Sequence, residues 1–240
     1  MTLCVAWRRC VNSEDQLVLA TDSLITGGLE YPHGTKLMVF GRGDCGLCWE
    51  GSTAFTYSFA ENARVDIDFS DSLGISHKPL FVVARRITKV FNSLWRANLD
   101  DPSSVFKNDE LSFLFGGYCP KFKEVQSWHI SQNDRLEGFS PKRRRISVGN
   151  PCFTGSGKDH ARAIFNSEPE LSPYHVLLRV IEDSNVRDVG GIPQLVTIDR
   201  TGLEVIGIVK DDERYLFGRK LTSTGHKTKV RYISYDGTDL

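Results

Sequence analysis

The first residues of the chain are apolar at every position from Leu3 to Trp7. Apolar side chains fill both sets of alternate positions, with Leu3, Val5 and Trp7 on one side and Cys4 and Ala6 on the other. Both faces of an extended segment here would therefore be buried, which predicts a strand between two layers of structure. A polar turn over residues 12–15 precedes a second apolar run over residues 17–20. Together the two runs predict an N-terminal β-hairpin.

Further strands are predicted along the rest of the chain. Residues 36–40 and 45–49 alternate in the same way and are joined by a glycine-containing turn over residues 41–44, which predicts a second hairpin. Additional strands are predicted by the apolar runs over residues 111–117, 124–130, 194–199 and 204–209. Residues from about 211 onward are polar and rich in turn formers.

Between these strands the apolar period changes to that of a helix. Ser52 is suited to cap a helix over residues 53–64. Pro79 is suited to the first turn of a second helix, in which apolar residues recur at helical spacing as far as Trp95. A third helix is predicted from about Lys158 and a fourth from Ser172 to about residue 183.

The order of elements predicts the fold class. Strands, two helices, strands, two helices and strands follow one another, which predicts an α+β fold. Two stacked sheets with helices on both outer faces would make a four-layer αββα sandwich. We predict a single domain over residues 1–210 and a C-terminal extension over residues 211–240, whose structure the pattern leaves open.

Composition and charge narrow the possible partners. Thirty lysines and arginines balance thirty aspartates and glutamates in the 240 residues, so there is no bulk attraction to nucleic acid or to an anionic membrane. No apolar run approaches the roughly 20 residues of a membrane span, and no signal peptide is evident at the start. These observations predict a cytoplasmic protein without nucleic-acid or membrane partners.

The cysteines, histidines and one basic run suggest no cofactor. The six cysteines are expected to be reduced thiols, and Cys45 and Cys48 form a CxxC spacing without the second pair that a zinc ribbon requires. None of the six histidines has metal-ligand spacing, so neither a metal nor a cofactor is predicted. The basic run over residues 142–145 predicts a solvated loop or a subunit contact.

Position two carries the first candidate for chemistry. Thr2 directly follows Met1, and removal of that methionine would give one residue both a hydroxyl nucleophile and a free α-amine. The amine has a reference pKa of about 7.7–8.0, so it can act as the base that a threonine hydroxyl needs. The alternative is that Thr2 is an ordinary β-branched residue at the start of a strand.

Five short segments accompany Thr2 in a defined order. They are ATDS at 20–23, TKLMVF at 35–40, WEGSTA at 49–54, TGSG at 154–157 and DVGG at 188–191. With these segments the chain resembles the N-terminal-nucleophile hydrolases, and specifically the proteasome β-type subunits. It is also similar to the related bacterial peptidases that partner ATP-dependent unfoldases and to the bacterial proteasome homologues called Anbu. The TGSG segment lacks the full Walker pattern, so phosphate binding there is disfavoured.

The resemblance implies a catalytic role for six residues. Thr2 would be the nucleophile, Lys36 would lower the pKa of its α-amine, and Asp22 would hold the lysine in place. The backbone N–H of Gly51 would bind the oxyanion. Ser156 would lie near the nucleophile. Asp188 would orient the site, although one valine stands between it and the Gly-Gly pair where the family carries small polar residues.

Two further residues are candidates for substrate binding. The resemblance places Trp49 at the floor of the specificity pocket, where its size would restrict the pocket to small side chains. Thr26 is the second candidate.

The function that the resemblance implies is a threonine-type peptidase or amidase. It would act on peptides or unfolded proteins inside a self-compartmentalising homo-oligomer, either a ring or a helical array, with an ATP-dependent unfoldase as a further partner. Two alternatives stay open at this point: a non-catalytic proteasome-like scaffold or interaction subunit, and an acylase that acts on small amides.

Overall fold

The structure is a computed structural model that describes residues 2–26, 30–74, 78–99, 111–133, 138–222 and 230–238. Two β-sheets form its centre. Strands of the larger sheet are β1 (Leu3–Val11), β2 (Glu14–Thr21), β8 (Cys152–Gly155), β9 (Gln194–Asp199), β10 (Gly202–Lys210), β11 (Glu213–Leu216), β12 (Arg219–Lys220) and β13 (Arg231–Ser234). They lie in the order β12-β11-β10-β9-β2-β1-β8, and β13 pairs with β10. Each of these pairings is antiparallel except that between β10 and β13.

The smaller sheet is a five-stranded antiparallel meander. Its strands are β3 (Leu37–Val39), β4 (Cys45–Glu50), β5 (Ser112–Cys119), β6 (Glu124–Asn133) and β7 (Gly138–Arg144), which lie in chain order. Consecutive strands thus pair with their neighbours along the chain, although residues 51–111 separate β4 from β5.

Four helices accompany the sheets in the described parts of the chain. They are α1 (Thr53–Asp68), α2 (Leu80–Leu99), α3 (Lys158–Ser167) and α4 (Pro173–Glu182). At the start of α4 the Ser172 hydroxyl accepts a hydrogen bond from the backbone N–H of His175 and so caps the helix. Ser52 precedes α1 without a side-chain cap bond.

Three apolar clusters hold these elements together. The first lies between the smaller sheet and the helices α1 and α2, and includes Phe59, Phe91 and Phe113. The second lies between the larger sheet and the helices α3 and α4. The third lies between the two sheets and joins residues of β1 and β2 to Cys48 and Leu114.

The predicted fold class was wrong. The described chain is mainly antiparallel β structure, with thirteen strands in two sheets and only four helices, and it is not a four-layer αββα sandwich. The strands β7, β8 and β11 to β13 had not been predicted, and they widen both sheets. No residue of β11 or β12 is buried, so this end of the larger sheet is not enclosed on both faces.

Several local predictions are confirmed. The N-terminal hairpin forms as predicted, with Leu3 and Val5 facing the helical side of the larger sheet and Cys4 and Ala6 facing the other sheet. The second hairpin also forms, between β3 and β4. The basic run, predicted to be a solvated loop or a subunit contact, is mostly strand, because residues 142–144 belong to β7 at the edge of the smaller sheet.

The last part of the chain adds strands to the larger sheet. β11 pairs with β10, and β13 pairs with β10 in parallel, from Ile206 opposite Arg231 to Val209 opposite Ser234. The division into a domain over residues 1–210 and an extension over residues 211–240 stays a prediction. In the described part of the chain, no helix is long and apolar enough to cross a membrane.

Candidate active site

The start of β1 is fixed by the turn between β8 and α3. Leu3 pairs with Gly155, and the backbone N–H of Thr2 donates to the Ser156 hydroxyl at 3.0 Å. The same hydroxyl and the backbone N–H of Gly157 donate to the Thr2 carbonyl, at 3.4 Å and 3.3 Å. The predicted proximity of Ser156 to Thr2 is therefore present in the structure, and Thr2 itself is only 2% exposed.

Gly155 is required in this turn for a steric reason. Its φ is +100°, a conformation that L side chains rarely adopt. A Cβ at this position would stand 2.1 Å from the Thr2 carbonyl oxygen. The TGSG segment therefore serves to bring the β8–α3 turn against the backbone of Thr2.

Asp22 and Lys36 form a buried ion pair beside the start of β1. The Lys36 Nζ lies 2.9 Å from Asp22 Oδ2, and the two side chains are 4% and 0% exposed. Asp22 Oδ1 accepts from the backbone N–H of Leu3 at 3.1 Å, so the carboxylate touches the residue that follows Thr2. Asp22 also accepts from the backbone N–H groups of Leu24 at 3.2 Å and Gly190 at 3.1 Å.

Burial and hydrogen bonding act in opposite directions on this carboxylate. Burial raises the pKa of Asp22 above its ordinary value, while the charge and hydrogen bond of Lys36 and the N–H groups of Gly190 and Leu3 lower it, and the net direction is upward. Four donors nevertheless converge on the two oxygens, which is the arrangement that a carboxylate needs when it is removed from water.

Asp188 is not brought to this pair. It is half-buried in the segment before β9 and has no hydrogen bond or ion pair with the described residues. The DVGG segment reaches the site through Gly190 instead, since the Gly190 N–H bonds Asp22 and its carbonyl accepts from the N–H groups of Ser23 and Leu24, both at 3.0 Å. The DVGG segment therefore positions the Asp22 carboxylate through the backbone N–H of Gly190.

Gly51 follows the end of β4 with a φ of +113° and is half-buried. Such a φ favours glycine. Trp49, by contrast, is 2% exposed and packs in the cluster beneath α1 and α2, with its ring edge-on to Tyr57 at a centroid distance of 6.1 Å. Thr26 is half-buried and directly precedes residues 27–29, which lie outside the described part of the chain.

Sequence reasoning missed Gln194, which links the two sheets next to the ion pair. Its Oε1 accepts from the backbone N–H groups of Lys36 at 3.1 Å and Leu37 at 3.3 Å. Its Nε2 donates to the carbonyls of Asp22 at 3.1 Å and Gly34 at 2.7 Å. The amide is 1% exposed, so this residue positions the backbone of both members of the pair. The signal in the sequence was a long polar side chain at the start of a strand whose next residues are apolar.

Glu50 is a second residue that was missed. Its Oε2 would stand 2.7 Å from a Cβ at Gly155, so its carboxylate lies against the turn that holds Thr2. Arg144 donates to His129 Nδ1 at 2.9 Å, which leaves His129 Nε2 to donate to the Ser112 hydroxyl at 2.9 Å. Ser112 in turn donates to Glu50. A chain of hydrogen bonds thus runs from β7 to the residue before Gly51.

Sequence comparisons assign no role to these residues. No protein-family model matches the sequence. No curated protein matches it either. Within the described residues, no group of three or more histidines, cysteines, aspartates and glutamates is placed to hold a metal ion.

Proposed function

We propose that the protein is a threonine-type peptidase or amidase that uses Thr2 after removal of Met1. The observation that carries this proposal is the buried Lys36–Asp22 pair, whose carboxylate is bonded to the backbone of Leu3, the residue next to Thr2. A buried cation beside an α-amine favours the neutral form of that amine, and a neutral amine can accept a proton from the hydroxyl. Ser156 already bonds the Thr2 nitrogen.

The proposed reaction is acyl transfer to Thr2 followed by hydrolysis. Thr2 Oγ attacks the substrate carbonyl carbon while its proton passes to the Thr2 α-amine. The backbone N–H of Gly51 donates to the oxyanion that forms. When the tetrahedral intermediate collapses, the C–N bond breaks and the departing amine takes the proton. Water then hydrolyses the threonine ester, which releases the acid and restores the hydroxyl.

The proposal also includes a homo-oligomer that encloses the site and a peptide or unfolded-protein substrate. An oligomeric chamber would restrict access to unfolded chains. Thr2 is 2% exposed in the chain that still carries Met1, so the hydroxyl must become accessible to substrate when the chain is processed.

Intact-mass spectrometry and a substrate panel test the proposal. We expect a mass without Met1 and hydrolysis of peptide or acyl amides. Thr2→Ala should lower kcat by about a thousandfold or more, because it removes the nucleophile. Thr201→Ala, which removes an exposed hydroxyl in the turn between β9 and β10, is the matched control and should retain activity.

Two outcomes contradict the proposal. Retention of Met1 leaves no free threonine amine and excludes the mechanism, in which case a scaffold role accounts for the chain better. Full activity in Thr2→Ala shows that the nucleophile lies elsewhere. Cleavage of small acyl amides with no cleavage of peptides would assign the same nucleophile to an acylase.

A further inference from the structure

A cavity rich in arginine lies where β7, β8 and α3 meet. Its volume is about 440 Å³, which is within the range of small-molecule sites. Four arginines line it: Arg143, Arg144, Arg145 and Arg162. No aspartate or glutamate is among the described residues of its wall. The protein as a whole has no net charge, so this concentration of positive charge is local.

Two of the four guanidinium groups have carboxylate partners outside the cavity. Arg143 pairs with Glu124 at 2.6 Å and Arg162 pairs with Asp159 at 3.1 Å, and both arginines are 54% exposed. Exposed pairs of this kind contribute little, so they compete weakly with a ligand.

The other two arginines lack a carboxylate partner in the described parts of the chain. Arg144 donates to a neutral nitrogen of His129, and Arg145 is exposed without an ion pair. Among the described residues, the carboxylates near the cavity are the exposed partners of Arg143 and Arg162 and Glu50, whose charge also acts on Cys152. A net positive charge therefore remains for an anion such as a phosphate monoester.

Arg144 is only partly exposed. Its Nε is buried and has no hydrogen-bond acceptor among the described residues. A buried N–H without an acceptor is costly and therefore uncommon in folded proteins. The planar guanidinium presents its N–H groups in a fork that fits the oxygens of a phosphate.

The rest of the wall is suited to an organic group. Phe153, Phe165 and Pro151 provide apolar surface, and Asn150 and Asn166 provide amides. An inorganic anion would use the guanidinium groups and leave this apolar surface unused. A phosphate that carries a small aromatic or aliphatic group would use both.

We propose that this cavity binds the phosphate group of a small phosphorylated molecule, with Arg144 and Arg145 as its main ligands. The site is distinct from the Thr2 site, and the proposal does not depend on the proposed hydrolase activity.

Calorimetric titration of the intact protein in phosphate-free buffer tests the proposal. The probes are phenyl phosphate, inorganic phosphate and uncharged phenol. Phenyl phosphate should bind saturably and more tightly than inorganic phosphate, while phenol should not bind at millimolar concentration. Arg144→Gln and Arg145→Glu should each weaken phenyl phosphate binding about tenfold or more. Arg187→Gln, at an exposed arginine elsewhere, is the matched control and should leave binding unchanged.

Cys152 provides a readout inside the cavity. Burial raises the pKa of its thiol, the positive charges of Arg144 and Arg162 oppose that rise, and the negative charge of Glu50 adds to it. A bound phosphate would offset those charges, so the pH profile for alkylation of Cys152 should move to higher pH. The experiment uses a Cys10→Ser background, because Cys10 is the exposed cysteine and four others are fully buried.

Three results would overturn the proposal. One is the absence of saturable binding of phenyl phosphate at millimolar concentration. Another is binding that persists in Arg145→Glu, an exposed position whose replacement should leave folding intact, as a melting curve would verify. The third is equal affinity for inorganic phosphate and phenyl phosphate, which would show that the apolar wall takes no part.

Discussion

The Asp22 carboxylate accepts hydrogen bonds from three backbone N–H groups and from the Lys36 ammonium group. The backbone donors are Leu3 at the start of β1, Leu24 just after β2, and Gly190 in the segment before β9. One side chain thus fixes three segments, and its charge is balanced by one lysine.

Lys36→Met should destabilise the protein by about 3–5 kcal/mol at pH 7, because it leaves a carboxylate buried without its cation. Without Lys36 the pKa of Asp22 in the folded state rises further above that in the unfolded state. A group whose pKa is raised in the folded state contributes to the free energy of unfolding below its unfolded pKa of about 3.9. This contribution is lost as the pH rises toward the folded-state pKa. The loss in free energy of unfolding that Lys36→Met causes, relative to the parent protein, should therefore be smaller at pH 4 than at pH 7.

Urea denaturation at the two pH values measures this effect, and Lys89→Met on the exposed side of α2 is the control for loss of a lysine charge. A deficit that is equal at both pH values would show that packing, rather than the charge of Asp22, accounts for the loss.

At the scale of elements, the turn between β8 and α3 determines where β1 begins. Its backbone bonds the Thr2 carbonyl, and its close approach depends on the absence of a side chain at Gly155. The helix α3 starts directly after this turn, at Lys158. The position of the candidate nucleophile therefore depends on this turn, which leads directly into α3.

Gly155→Ala should destabilise the protein by about 3 kcal/mol or more, since the new methyl group meets the Thr2 carbonyl oxygen. Gly149→Ala is the matched control. Gly149 also has a positive φ, of +78°, but nothing lies within 4 Å of a Cβ there. That variant should lose only about 1–2 kcal/mol through backbone strain.

The difference between the two free energies of unfolding isolates the contact with Thr2. If the two glycine variants lose equal stability, the approach of the turn to β1 is not as close as described.

At the scale of the whole molecule, the two sheets and their helices bury thiols in two separate clusters. Cys45 lies in the cluster beneath α1 and α2, and Cys4 lies between the sheets. Burial raises the pKa of both thiols well above the ordinary value. Their ionisation is therefore coupled to unfolding.

The free energy of unfolding should decrease as the pH rises above about 8.5, the pKa of an unfolded cysteine. Below that pH both states hold the thiol proton. Above it the unfolded state releases the proton while the folded state keeps it, so stability is lost with rising pH until the folded pKa is reached. Cys45→Ala should reduce this slope by up to about 1.4 kcal/mol per pH unit.

Denaturant titrations between pH 7 and pH 10 measure the slope. Cys10→Ala, at the exposed cysteine, is the control and should keep the slope of the parent protein. The same slope in Cys45→Ala and the parent would contradict the coupling of this thiol to unfolding.

The local pattern of apolar residues predicted the helices and strands that bury an apolar face. The two hairpins, the long helix α2 and the strands β5, β6, β9 and β10 all follow from periodicity, because each buries at least one continuous face. β7 was missed because its sequence, GFSPKRR, is polar over most of its length at a sheet edge. β11 and β12 have no buried residue and so leave no apolar period to detect.

The sequence by itself determined which residues were candidates for chemistry, because Thr2, Asp22, Lys36 and the TGSG turn are recognisable by residue type and order. Only the tertiary structure decided which of them meet. It joined Asp22 to Lys36 and Ser156 to Thr2, left Asp188 apart, and added Gln194 and Glu50. The physical reason is that these contacts join residues far apart in the chain. They depend on how two sheets stack and where a glycine turn closes, which the local period of a strand or helix does not encode.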